Sequence, residues 1–293
     1  MRALRLALLF AAAHLAGACA PAVAPAAGGG PPIWTMRDAD SQVLMVGAVH
    51  ALPPSVRWRS PWLEEALARA DLVAFEVLPS DDAFHAGQTW EEAGAAGRLP
   101  AGRTLEDEVG PALWARVAAV APDAGLGAAE LMHVRPWLAS AMLDGGWARR
   151  AGYRADLGLE AWVRDRITPG TEVIALDTVG YEALAGLSSA AQRQMLERSV
   201  AAIEGRADPA ALDRAWAAGD VRVLAAETAR MRAEAPDLYE ELVAARTRRW
   251  APPVAALADR RGVSVVVVGA GHMVGPDGLP ALLEARGLEV EGP

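Results

Sequence analysis

The chain is most constrained near its end, where Val263-Ser264-Val265-Val266-Val267-Val268 runs into Gly269-Ala270-Gly271-His272-Met273-Val274-Gly275. A run this rich in β-branched residues, without polar alternation, reads as a strand buried on both faces, the kind found in parallel sheets covered by helices. The glycines and the histidine after it then fall at the carboxyl edge of the sheet, where open α/β folds keep their ligand sites. An earlier segment repeats the arrangement, with Val43-Leu44-Met45-Val46 leading into Gly47-Ala48-Val49-His50. Two apolar strands that each close on Gly-x-x-His bring two imidazoles to one edge.

The segments between them supply the scaffold. Ile33 to Met36 and Gln42 to Val46 flank a polar turn and predict an opening β-hairpin. Ser60-Pro61 is a helix start, followed by Leu63, Ala66, Leu67 and Ala70 on one face. Leu72 to Phe75 is a short strand closed by Glu76, and the strand, helix, strand order implies a right-handed crossover with parallel pairing. A third strand, Glu172 to Leu176, is closed by Asp177. Helices are expected over Thr104 to Val120, with Thr104 and Asp107 as a capping box, and over Pro136 to Ala151. More are expected from a Ser189 and Gln192 capping box, from Asp208-Pro209, and from Pro236 to about Gly262 with a break at Pro252-Pro253. Leu279 to Arg286 reads as a last helix and Leu288 to Val290 as a final strand.

The fold class that follows is α/β: a mixed, largely parallel central sheet with flanking helices and a large helical insertion covering the carboxyl edge of the strands. Residues 33–293 form a single domain, with a sheet core from 33–80, 170–178 and 262–291 and helical segments 81–169 and 179–261. At 293 residues and 53% hydrophobic content, the chain has ample material for such a core.

Arg2 and Arg5 precede an apolar run, Leu6 to Ala18, that is too short to span a bilayer, so residues 1–19 read as a signal peptide. The only cysteine, Cys19, follows small residues in Leu15-Ala16-Gly17-Ala18-Cys19, which resembles the lipobox of bacterial lipoproteins, although Ala16 stands where leucine is usual. The alternative is cleavage after Ala20. An exported protein of the cell envelope or periplasm, anchored to a membrane through acylated Cys19, is expected, with residues 20–32 as a flexible tether. The formal charge of −9 and the lack of a basic stripe argue against a nucleic-acid partner. Lysine and asparagine are absent, which reads as compositional drift.

His50, Glu76, Asp177 and His272 thus share one edge. Two imidazoles and a carboxylate are a ligand set for hydrolytic zinc and for iron or manganese sites with open positions, where bound water becomes hydroxide near neutral pH. Without a metal, Glu76 is a candidate general base on water with a histidine as its partner. Gly47, Gly269 and Gly271 allow a substrate to approach the backbone closely. His85 and His133 lack this context and read as surface or packing residues, and the ten tryptophans read as core. The spacing Gly269-x-Gly271-x-x-x-Gly275 imitates a dinucleotide fingerprint but fails on context, because Gly275-Pro276-Asp277-Gly278 breaks any helix after it.

With these residues the chain resembles the TraB/GumN family, relatives of the Tiki proteases in a superfamily with ChaN-like and erythromycin esterase-like proteins. The resemblance rests on Gly47 with His50, on Glu76, and on Gly269-Ala270-Gly271-His272 with Gly275 and Gly278. Softer matches are Arg135-Pro136-Trp137, Gly158-Leu159-Glu160, Leu176-Asp177-Thr178, Trp216 with Gly219-Asp220, and Arg246 ahead of Trp250. The family often shows Arg-Asn where this chain has Arg246-Thr247, a change that reads as compositional. Its third strand usually ends in glutamate shortly followed by Glu-Gln, whereas here Asp177 is followed by Tyr181-Glu182. The resemblance implies a hydrolase, with peptides or small molecules as substrates. A divalent Mn, Co, Zn or Fe ion would sit on His50, Glu76 and His272, with Arg246 and Asp177 as secondary site residues. The ChaN-like branch implies an alternative, a non-catalytic envelope protein that binds haem, another ligand or a peptide in the same cleft.

Overall fold

In a computed structural model, which describes residues 30–78, 90–177, 181–205, 208 and 210–293, the valine-rich run forms the centre of the sheet. The strands are β1 (Ile33–Arg37), β2 (Ser41–Ala48), β3 (Leu72–Phe75), β4 (Glu172–Ala175) and β5 (Gly262–Gly269). Their order across the sheet is β1-β2-β5-β3-β4, with β1 antiparallel to β2 and every other pair parallel. Flanked by β2 and β3, the last strand of the sequence is the middle strand of the sheet. Val265 to Val268 are completely buried, as expected for a strand covered on both faces.

The helices are α1 (Pro61–Ala68), α2 (Trp90–Ala96), α3 (Leu105–Val109), α4 (Pro111–Val120), α5 (Ala128–Leu131), α6 (Pro136–Arg150) and α7 (Leu159–Arg164). After β4 come α8 (Tyr181–Gly186), α9 (Ser189–Glu204), α10 (Ala210–Ala217), α11 (Val221–Glu234), α12 (Pro236–Tyr239), α13 (Ala245–Ala255) and α14 (Leu279–Glu284). The sheet core takes in Leu63 and Leu67 of α1, Leu159 and Trp162 of α7, Trp216 of α10, Trp250 and Val254 of α13, and Leu283 of α14. A second apolar cluster lies within the helical segments, where Leu105, Val109, Leu113 and Val117 meet Leu143 of α6 and Leu196, Val200 and Ile203 of α9. No described helix is long and apolar enough to cross a membrane.

Local chemistry accounts for most of the boundaries. The Ser60 hydroxyl accepts the Leu63 N–H at 3.2 Å to start α1. Thr104 and Asp107 form the reciprocal capping box, at 2.8 and 3.3 Å. Four expectations change. The helix expected over Thr104 to Val120 is two helices, because Gly110 at φ 79 followed by Pro111 turns the chain between them. The cap of α9 is Ser188, not Ser189: its hydroxyl accepts the Ala191 N–H at 3.1 Å, while the Gln192 amide donates to the Leu187 carbonyl. Pro252 and Pro253 lie inside α13 without breaking it; the N–H groups they lack would have bonded the carbonyls of Arg248 and Arg249, two exposed residues where water reaches the backbone. The irregularity sits earlier, in a π turn at Glu240–Ala244. Leu288 to Val290 is not a strand. The chain there touches β1 through a single bridge, with Thr35 and Glu291 exchanging both backbone hydrogen bonds at 2.7 and 2.9 Å.

Candidate functional site

Parallel strands end on the same side, so the residues after them meet. Glu76 directly follows β3, Asp177 lies just past β4, His50 just past β2, and His272 closes the short turn Ala270–His272 after β5. The ladder extends beyond the strands proper: the Glu76 N–H donates to the Val267 carbonyl, and the Asp177 N–H to the Glu76 carbonyl, both at 2.9 Å. The expected edge is therefore formed.

Its centre is an arginine between two carboxylates. Arg246 Nη2 lies 2.8 Å from Glu76 Oε1, its Nε donates to Asp177 Oδ2 at 3.1 Å, and all three side chains are about nine-tenths buried. The guanidinium also lies 4.8 Å from the Trp250 ring centroid. The other carboxylate oxygen, Glu76 Oε2, accepts the Gly269 N–H at 2.9 Å. Burial alone would push the Glu76 carboxyl up; His272, Arg246, His50 and the Gly269 amide outweigh it and hold the group at about 2.

The two histidines are held differently. His272 is buried, its Nδ1 lies 2.7 Å from the Thr247 hydroxyl, and its ring centroid is 4.5 Å from that of Trp250. Burial lowers its pKa to about 4 against the attraction of Glu76, so the ring is neutral near pH 7. His50 stands in the open, its side chain 74% exposed, with Nδ1 2.6 Å from Glu160 Oε1. Attraction to Glu160 is the largest influence on that ring and raises its pKa to about 9, against partial desolvation of the ring and the charge of Arg246. Solvent reaching His50 screens the pair and reduces that rise. The second Glu160 oxygen is buried without a hydrogen-bond partner.

A family model for the TraB/PrgY/gumN family matches residues 32–292. The chain belongs to that family. No curated protein and no solved structure matches it. Within this TraB/PrgY/gumN protein the site residues expected from the sequence take distinct parts. His50, Glu76, Asp177, Arg246 and His272 are brought together. Gly47 is buried, its carbonyl accepts the Trp216 indole N–H at 2.7 Å, and a Cβ there would lie 3.0 Å from Ala270 Cα, so the strand end and the loop holding His272 pack on each other. Gly269 and Gly271 are partly exposed at the edge. Cys19, the expected signal peptide, His85 and Thr178 lie outside the described residues. His133 is an exposed surface residue, its Nδ1 3.1 Å from the Arg103 carbonyl oxygen.

Sequence reasoning missed two side chains of this TraB/PrgY/gumN site, Glu160 and Thr247. Glu160 had a signal in Gly158-Leu159-Glu160, whose glycine admits the chain after β2: a Cβ on Gly158 would fall 2.2 Å from the His50 carbonyl oxygen. Thr247, in a chain without asparagine, reads from composition alone as drift.

The expected metal set needs three donors with free lone pairs pointing at one place. Among the described residues no group of three His, Cys, Asp or Glu side chains is arranged to hold a metal ion. Each Glu76 oxygen already has one partner, and Arg246 supplies a positive charge at the carboxylate where an ion would. The residues as arranged do not fit the ion.

Proposed function

We propose that this family member is a hydrolase that activates water at the carboxyl edge without passing through a metal, using His272 and Glu76 on the water and His50 on the leaving group. The observation that carries the reading is the different setting of two imidazoles around one carboxylate: His272 is buried against Trp250 with the Thr247 hydroxyl on its Nδ1, whereas the exposed His50 has Glu160 2.6 Å from its Nδ1, so the first is pushed toward its neutral form and the second toward its charged form. Pairs of titratable groups pushed apart in this way divide into base and acid. In the proposed reaction a water oriented by Glu76 loses a proton to His272 as its oxygen attacks a carbonyl carbon, and His50 gives a proton to the departing nitrogen or oxygen as the bond breaks. The products are a carboxylic acid and an amine or alcohol. Peptide bonds are the substrate class favoured by the resemblance to Tiki proteases. The leader and Cys19 support an exported, lipid-anchored protein; fatty-acid labelling lost in Cys19→Ser tests that part.

The test is a panel of peptides and esters incubated with purified protein, with a chelator and with added Mn, Co or Zn. The expected result is hydrolysis that survives chelation and falls by about 10²–10⁴ in His272→Ala and Glu76→Gln. A strict requirement for added metal would replace this reading with coordination by His50, Glu76 and His272. No hydrolysis, with an intense Soret band on haem titration, would favour the ligand-binding alternative.

A further inference from the structure

We infer that Thr247 sets the tautomer of His272, keeping the proton on Nδ1 and leaving Nε2 bare on the side of Glu76. Thr247 is fully buried, and its hydroxyl oxygen lies 2.7 Å from both the Val243 carbonyl and His272 Nδ1. A hydroxyl has one proton to give, and a carbonyl can only accept. The Thr247 proton goes to Val243 one turn back, a bond that helical threonines commonly make. What the oxygen then offers His272 is a lone pair, and a neutral imidazole in that contact carries its proton on Nδ1.

The far side of the ring is thereby an acceptor, and its direction is recorded in the packing around Gly269. A Cβ built on that glycine would lie 3.3 Å from Glu76 Oε2 and 3.5 Å from His272 Cδ2, the carbon bonded to Nε2. The carboxylate and the unprotonated edge of the ring therefore flank one small volume. Thr247 is a positioning residue, acting only through the histidine.

Long-range proton–nitrogen correlation spectra of the purified protein, labelled at histidine nitrogen, test the inference without a substrate. The His272 signals are assigned by their loss in His272→Gln. At neutral pH the nitrogen coupled strongly to both ring C–H protons, which is Nε2, should be the unprotonated one. Thr247→Val, equal in shape but without an acceptor, should make the Nε2–H form the majority species. Thr247→Ser and Thr247→Asn should retain the wild-type pattern. A wild-type spectrum with Nε2 protonated overturns the inference, as does a folded Thr247→Val protein with an unchanged spectrum. If Thr247→Val does not fold, the wild-type and Thr247→Ser spectra decide. Because no turnover is measured, the hydrolase reading and this one can fail separately.

Discussion

Arg246 is the residue on which the charges of the site depend, since it contacts both Glu76 and Asp177 from a buried position. Replacing it with leucine leaves two carboxylates near each other with their shared counter-charge gone. Removing one partner of a buried pair costs on the order of 3–5 kcal/mol. Urea denaturation at pH 7 should show a loss of that size for Arg246→Leu, and a smaller one when Glu76→Gln is added, because the second change removes one of the stranded charges. The histidines set the pH dependence of stability. The folded His272 titrates at about 4 against an ordinary 6.5, so between these values the unfolded chain binds a proton that the folded one refuses. Stability therefore falls by roughly 3 kcal/mol as pH drops across that window. Glu76, held at about 2 against 4.5, stabilises fully above 4.5 and loses its contribution as pH falls through about 2. His50 acts in the other direction: its contribution is complete below 6.5 and is lost as pH rises through about 9, with a limb made shallow by its exposure. Denaturation midpoints at pH 4, 6.5 and 9 should peak at the middle value, and His272→Gln should flatten the acid side.

Elements differ in how openly the sequence declares them. The apolar runs of β2 and β5, with Gly-x-x-His after each, were legible because burial on two faces leaves no polar positions and the glycines mark the turn. The ends of β3 and β4 were legible as well, each closed by a carboxylate. Of the two residues that hold the histidines, Glu160 showed only through Gly158 two places before it, and Thr247 not at all, because nothing local distinguishes a threonine after an arginine. What gives them their roles is contact across long separations. Composition misled here too, since a chain without asparagine invites every such replacement to be read as drift. The π turn Glu240–Ala244 belongs to the same class of hidden feature: it holds one more residue per turn than an α-helix and re-aims Arg246 and Thr247, which follow it. Leu288 to Val290 forms no strand because the chain there bonds β1 only at the residue after them, through Glu291 on Thr35. Gly158 is a testable joint between elements, since α7 begins where the chain leaves β2. Gly158→Ala drives a methyl into the His50 carbonyl and should destabilise the fold by about 1–3 kcal/mol while separating Glu160 from His50. A fall in the His50 pKa toward 6.5, read by NMR titration, would mark that separation.

At the scale of the whole molecule, the chain's first and last strands of the parallel set are neighbours: β5 lies between β2 and β3 along their full pairing. A truncation after Arg261 removes both the middle strand and His272, and leaves β1-β2 and β3-β4 as separate two-stranded pieces. Two-stranded pieces are marginal alone, so the truncated protein should be protease-sensitive and lack a cooperative unfolding transition rather than be folded and inactive. The same topology has a consequence in time. Pairing that joins residues so distant in sequence is slow to form, because the intervening chain must be closed into a loop before any contact rewards it. During synthesis the sheet has no centre until the last strand has left the ribosome. The chain therefore remains without its native sheet until β5 has emerged, and the site, which needs His272 after that strand, is assembled only then.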